Sequence, residues 1–361
     1  MSSTSVGTIN ELEQVVDLDF HLVESETALV PYLEEPFNGL MSRPDIQEPN
    51  NYNQTKFLID GVGGDIGPDA ATTADEIKQV MADLGIDRVT LNPGLNLNLV
   101  TVHNDRYAVA LASAYNEWVT ETLLDSSVGM YGTVRICPRD PQRAVEEIEQ
   151  WSGRDEIVGA MLGPPGFRNP VSDPQYDPIY EALEAAGLPL LIHNSVLSLQ
   201  HVFPAQFDGL NTFMEARGIG HPMGQMMHLT RLIVSGVPER FPDLDIIMME
   251  SGLGWIPYMM HRLDYYYSSR REDAPYLTQP PSEYIDENFY FTTQPVEGTT
   301  DPSYVQDIVK RIGPDNLLFS SDYPHSDFDY SDALYKTLRD GFDQRAIENI
   351  YGKNAIETLN Y

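Results

Sequence analysis

The chain has 361 residues, 42% of them hydrophobic, enough to bury a sizeable core as one large barrel or two smaller domains. Asp and Glu number 55 against 22 Lys and Arg, a formal net charge of −33, with five lysines beside seventeen arginines. That balance argues against the basic patch a nucleic-acid partner requires, and an anionic membrane would repel it. The acidic residues are spread along the chain without a run of five like charges, which fits a folded acidic surface rather than a disordered arm. It favours a high-salt source, where ions screen the self-repulsion. A single cysteine, Cys137, allows no intrachain disulfide. The first fourteen residues lack the basic and apolar regions of a signal peptide, and no stretch nears 18 consecutive apolar residues. The cytoplasm is therefore the expected location.

After an extension over residues 1–14, Val15–Phe20 is predicted to be a strand. A helix at Ala74–Leu84 and a strand at Asp87–Asn92 follow, then a long helix at Tyr107–Leu124 and a strand at Gly129–Ile136. Pro141–Trp151 is predicted helical, with proline at its first position. Ile157–Leu162 (strand), Pro178–Ala186 (helix) and Leu188–His193 (strand) continue the alternation. A helix at Gly224–Ser235 precedes a strand at Asp245–Glu250, and Pro257–Tyr267 is helical. Strands at Phe289–Thr292 and Leu317–Ser320 flank a helix at Pro302–Arg311, and Ala346–Leu359 reads as a terminal helix. Eight strands, most followed by a helix, imply parallel pairing through right-handed crossovers. Their number favours a single (β/α)8 TIM barrel over residues 15–361. A doubly wound open sheet is the alternative that periodicity leaves open. Glu24–Asn53 and Ser195–His221 lack regular pattern and are expected to be βα-loop insertions on the catalytic face.

In such a barrel, reactive groups sit at the C-terminal strand ends. The first strand, VVDLDFH, carries Asp19 and His21 two residues apart, on one face. The fifth, LPLLIHNS, is apolar until His193, and the eighth, NLLFSSDYPHSD, presents Asp322. Each alone has a structural reading: a surface turn for Asp-x-His, a bonded core histidine for His193, a helix cap for Asp322. Together they supply two carboxylates and two imidazoles, a set suited to one divalent ion such as Zn2+ or Mn2+. Glu250 follows DIIMM on the sixth strand, as a fifth ligand, a proton shuttle, an orienter of water, or half of a salt bridge. His325 and Trp255 fall on catalytic-face loops as candidate substrate contacts, and Arg135 and Arg168 as cations for an anionic substrate. His201, His221, His228 and His261 read as structural, Met223, Met226 and Met227 as helix packing, and Tyr265–Tyr267 as packing surface.

At DLDFH (17–21), YDPIYEALEAAGLPLLIH (176–193), SGVPERFPDLDIIMMESGLGWIPYMMHRLD (235–264), FSSDYPHSD (319–327) and GKNA (352–355), the chain resembles the amidohydrolase superfamily. It is most similar to the branch holding aminocarboxymuconate-semialdehyde decarboxylase and the γ-resorcylate-type decarboxylases. The resemblance implies that Asp19 and His21 stand at a first-strand pair that is usually His-x-His, with a carboxylate first in some decarboxylases. It places His193 at the fifth-strand ligand and Asp322 at an aspartate that binds metal and moves protons. The family's catalytic histidine after the sixth strand falls on Glu250, which donates a proton only if its pKa is raised.

The resemblance implies a metal-dependent, non-oxidative decarboxylase of a small aromatic or unsaturated acid, with Asp322 and Glu250 catalytic and no organic cofactor. The alternatives are a hydrolase of an amide, lactone or ester using metal-activated water, and a non-catalytic barrel that binds a ligand or partner. The expected partners are a small-molecule substrate and further copies of the chain, as a dimer or tetramer.

Overall fold

The structure is a computed structural model that describes residues 9–22, 24, 27–41, 71–94, 96–97, 99, 102, 104–163, 169–193, 213–297, 301–325, 331–359 and 361. Eight parallel strands run in the order of the chain: β1 (Val16–His21), β2 (Arg88–Asn92), β3 (Met130–Ile136), β4 (Ile157–Leu162), β5 (Leu190–Ile192), β6 (Ile246–Met248), β7 (Phe289–Thr292) and β8 (Leu317–Leu318). The chain beyond β8 returns to β1: Leu18 N–H donates to Phe319 O (3.1 Å), and Phe20 bridges Tyr323 in parallel. The sheet thus closes on itself, as the (β/α)8 barrel expected.

The strands are buried on both faces and read as nearly continuous apolar runs. The outward rows meet the helices: α1 (Phe37–Met41), α2 (Ala74–Leu84), α3 (Asp105–Thr122), α4 (Pro141–Trp151), α5 (Asp177–Ala186), α6 (Phe213–Val234), α7 (Val237–Arg240), α8 (Trp255–Ser269), α9 (Pro281–Asn288), α10 (Pro302–Ile312), α11 (Ser331–Leu338), α12 (Gln344–Glu348) and α13 (Asn354–Leu359). Their starts follow from capping chemistry. Thr73 and Glu76 form a reciprocal capping box on α2, and Asp140 and Asp301 cap α4 and α10, each with proline next. Gly85 ends α2 with φ 69°, a conformation costly for other residues. No helix among the described residues is long and apolar enough to cross a membrane.

A second apolar cluster joins Val16, Leu18, Tyr131, Val158, Leu191, Ile247 and Leu318 from six strands. Residues of so many strands meet only inside the barrel, so the lumen is a packed core. From α13, Ala355 and Leu359 enter this cluster. Tyr361 follows them, its hydroxyl bonded to that of Thr90 and its ring edge-on to Tyr131.

Three expectations on irregular or terminal segments need correction. The region expected to be loop up to His221 is helical from Phe213, because α6 continues through Pro222. Gly218, Gly220, Pro222 and Gly224 obscure its apolar period. Residues 194–212, with His201, lie outside the described set. The first expected insertion holds a 3-10 turn at Val30–Tyr32 and α1, and residues 42–53 lie outside the described set. The expected C-terminal helix is broken by a π turn at Asn349–Lys353, where Ile350 O accepts the Phe319 N–H (2.9 Å) and so caps the end of β8.

Asp245 opens the β6 segment, and burial pushes its carboxyl from an ordinary 3.8 up to about 6. The unfolded chain ionises this group first, so stability falls as pH rises from about 4 to about 6 and stays lower above that. The side chain is only partly buried, and solvent screening trims the effect to about 1 kcal/mol. D245N should therefore raise Tm by about 1–2 °C near pH 7.5 by calorimetry, with the gain shrinking towards pH 4.5. An equal gain at both pH values would contradict this origin.

Candidate metal centre

β1 delivers two polar groups to the lumen. Its pairing with β2 runs Val16 to Arg88 and Asp17 to Val89, then resumes at Phe20 to Leu91 and His21 to Asn92. Two residues, Leu18 and Asp19, therefore oppose the single Thr90, a β-bulge. Leu18 packs in the lumen, and Asp19, the next residue, also reaches into it.

His21 Nε2 is the hub. It lies 3.1 Å from Asp19 Oδ1, 3.2 Å from His193 Nε2 and 3.4 Å from Asp322 Oδ1. His193 Nε2 is 3.4 Å from Asp19 Oδ1. Asp19, His193 and Asp322 have no exposed surface, and His21 has 1%. The side chains come from the C-terminal ends of β1, β5 and β8, so the four residues expected to share a metal are brought together.

Two further observations fit this donor set to a divalent ion. His21 Nδ1 donates to Pro93 O (2.9 Å), so loss of its other proton turns the Nε2 lone pair on the cluster. Asp19 Oδ2 is buried with no hydrogen-bond partner among the described residues, as an open ligand position would be. Donor atoms of Asp19, His21 and His193 lie within 4.8 Å of one another, and so do those of His21, Asp322 and His325. The second trio adds His325, whose Nδ1 bonds Asp322 Oδ1. Two carboxylates and imidazoles suit Mn2+ or Zn2+.

The electrostatics follow from crowding. Burial pushes the Asp19 carboxyl up, but His193 and His21 outweigh it and hold it well below the usual range. Burial likewise pushes His21 down, and Asp19 and Asp322 reverse this, leaving it well above an ordinary imidazole. His193 is raised in the same way, by Asp19 and Glu250 against its burial. The Asp322 carboxyl, pushed up by burial, is brought low by His325 and His21.

Glu250 lies just beyond β6 with φ 47°, and Asp322 beyond β8 with φ 61°. Among the described residues these are the two non-glycines in the left-handed region, and strain of this kind gathers at functional sites. Thr292 Oγ1 accepts the Glu250 N–H (3.0 Å). Glu250 Oε2 sits 3.7 Å from His193 Nε2 and 3.5 Å from His221 Nε2. His221 is thus part of the cluster, although the sequence suggested a structural role. It lies on α6, inside the segment whose helical period is obscured. Asn92, with no signal in the sequence, also joins the cluster. Its Nδ2 donates to Asp19 Oδ1 (2.9 Å) and Leu18 O (2.8 Å).

The other residues singled out make other contacts. Arg135 is not a substrate anchor: its guanidinium is buried and donates to the carbonyls of Asn96, Leu97, Ile136 and Met161. A long cation at an interior strand end was needed to satisfy backbone there. Arg168 lies outside the described residues. Trp255 is buried, edge-on to Phe291, with its indole N–H on Gly252 O (3.0 Å). His228 is buried, and its burial pushes it down to about 3. His261 is exposed. Met226 packs on the core, Met223 is partly exposed, Tyr265 and Tyr266 are exposed, and Tyr267 packs inward.

Comparison with known proteins agrees with the fold. The amidohydrolase family matches residues 16–360, and the chain belongs to it. It is accordingly an enzyme of the amidohydrolase superfamily. A γ-resorcylate decarboxylase of Polaromonas sp. (strain JS666 / ATCC BAA-500) is 27% identical over 269 residues, covering 71% of this chain and 78% of the relative. An amidohydrolase of Mycobacterium avium subsp. paratuberculosis K-10 superposes with a TM-score of 0.74 at 20% identity, over 96% of this chain and 99% of that one. A dihydroxybenzoic acid decarboxylase of Polaromonas sp. JS666, solved with bound manganese and the inhibitor 2-nitroresorcinol, gives 0.69 at 20% identity, over 96% and 97%.

Metal ligation needs free lone pairs on His21 and His193, so a divalent ion must displace the protons these raised imidazoles hold. Mn2+ affinity should fall roughly tenfold or more from about pH 8 to about pH 6, with protons released on binding. Calorimetry in two buffers of different ionisation enthalpy reads both. An affinity independent of pH would exclude this cluster as the site.

Proposed function

We propose that the protein is a metal-dependent, non-oxidative decarboxylase of a small aromatic carboxylic acid. The observation that carries this reading is the group of two carboxylates and two imidazoles, Asp19, His21, His193 and Asp322, at the C-terminal strand ends. The decarboxylases to which the chain is similar support the reaction class. The manganese bound in one of them, with the hard carboxylate donors here, favours Mn2+.

When bound, the divalent ion supplies positive charge for a substrate carboxylate and a neighbouring ring oxygen. Asp322 delivers a proton to the ring carbon that bears the carboxylate. The bond from that carbon to the carboxyl group then breaks, CO2 leaves, and the electron pair of the broken bond restores the ring. No oxidant or reductant is consumed. The Asp322 carboxyl is held low and rests ionised, so the proton it delivers is one it takes from His325, whose Nδ1 bonds Asp322 Oδ1. Glu250 stands between His193 and His221 and relays protons or orients water at the same mouth.

Protein loaded with Mn2+ and given a panel of ortho-hydroxybenzoates should release CO2, followed by gas evolution and ring absorbance. H193A and D322N should each lower kcat/KM by about 1000-fold or more with circular dichroism unchanged. Acid release from lactones or esters without CO2 would instead make the protein a hydrolase.

The charge of −33 belongs with a high-salt source. Screening at molar salt shrinks the reach of surface repulsion to a few ångströms. Tm should rise by about 5 °C or more between about 0.1 and about 2 M KCl. A flat or falling Tm would count against salt adaptation.

A further inference from the structure

The β-bulge in β1 breaks the regular register at the peptide joining Leu18 to Asp19, whose carbonyl and N–H point to opposite sides. Side chains take both. Asn92 Nδ2 donates to Leu18 O, and Asp17 Oδ1 accepts the Asp19 N–H (3.0 Å). The Asp17 carboxylate has no exposed surface, and it does more than close the bulge. The same Oδ1 accepts the Ser321 N–H (2.9 Å), and Oδ2 accepts the Ser321 hydroxyl (2.5 Å). Ser321 immediately precedes Asp322, whose φ of 61° needs support from its neighbours. Asp322 N–H in turn donates to Asp19 O (2.9 Å).

One carboxylate therefore fixes the two backbone segments from which Asp19, His21 and Asp322 converge. Without the bulge, strict alternation would turn Asp19 away from the side that Leu18 faces. We propose that Asp17 is a positioning residue of the metal centre: it locks the β1 bulge and the turn after β8 in the one arrangement that points Asp19, His21 and Asp322 at a common point. The inference rests on reading that cluster as the metal site. It assigns to Asp17 no contact with metal or substrate.

The test compares D17A, D17N and S321A in the full-length protein, with Mn2+ as the probe. D17A removes the two oxygens that accept from Asp19 and Ser321, and D17N keeps an oxygen for the Asp19 and Ser321 N–H groups. The expected result is Mn2+ affinity about tenfold or more weaker in D17A, with D17N restored to within about threefold of wild type. The bound Mn2+ spectrum in electron paramagnetic resonance should broaden in D17A and not in D17N. S321A keeps the backbone bond and loses the hydroxyl bond, so it should lose about two- to fivefold in affinity.

A D17A protein with lowered Tm but wild-type Mn2+ affinity and spectrum would reduce Asp17 to a stability element and overturn the proposal. Should D17A not fold, S321A decides: unchanged affinity and spectrum overturn the proposal equally. Failure of the underlying reading looks different, because wild-type protein would then bind no Mn2+ at all.

Discussion

Asp19 and Asp322 are wholly buried at the mouth of an apolar barrel, and Glu250 is nearly so. An ionised carboxylate in such surroundings is costly unless a positive charge meets it, and here three converge on a few ångströms. The rest of the site answers that constraint. His21 and His193 lie between the carboxylates, and burial, which alone would strip their protons, loses to the negative charge around them. In the free protein, protons supply the balancing charge. A divalent ion bound as proposed would do so with fewer groups. Asp17 belongs to the same economy: it is pushed up to about 7 by burial, and the bonds from Ser321 and Asp19 temper the cost.

Much of this was legible before any coordinates. The alternation of short apolar runs with helical segments gave eight βα units because burial on both faces demands unbroken apolar strands, as in IVGAML and LLI. His193 and Asp322 stood out because each ends such a run. Asp19 and His21 share a face at a spacing of two, but the bulge that also leaves Leu18 in the lumen has no local signature. It arises from register between β1 and β2, a relation between residues far apart in sequence. Asn92 was overlooked for the same reason: its partners are 73 and 74 residues away.

His221 shows a different limit. Gly218, Gly220, Pro222 and Gly224 read as loop, yet the helix persists, because tertiary packing overrides local propensity. Gln225 on this helix donates to Ile192 O and Met249 O, the residues just before His193 and Glu250. One helix thus ties together the ends of β5 and β6 and contributes an imidazole beside them. Arg135 taught the reverse lesson. Its charge suggested a ligand for an anion, while its bonds show a cross-brace among the carbonyls of three strand ends.

The opposite end of the barrel is stoppered. Ala355 and Leu359 reach the luminal core, and Tyr361 lies across Thr90 and Tyr131 below it. Those side chains fill the end opposite the polar cluster, so the strand C-termini are the side from which a small molecule would reach it. If catalysis runs there as proposed, a product that lingers at that mouth shuts out the next substrate, and its release competes with bond cleavage for control of turnover.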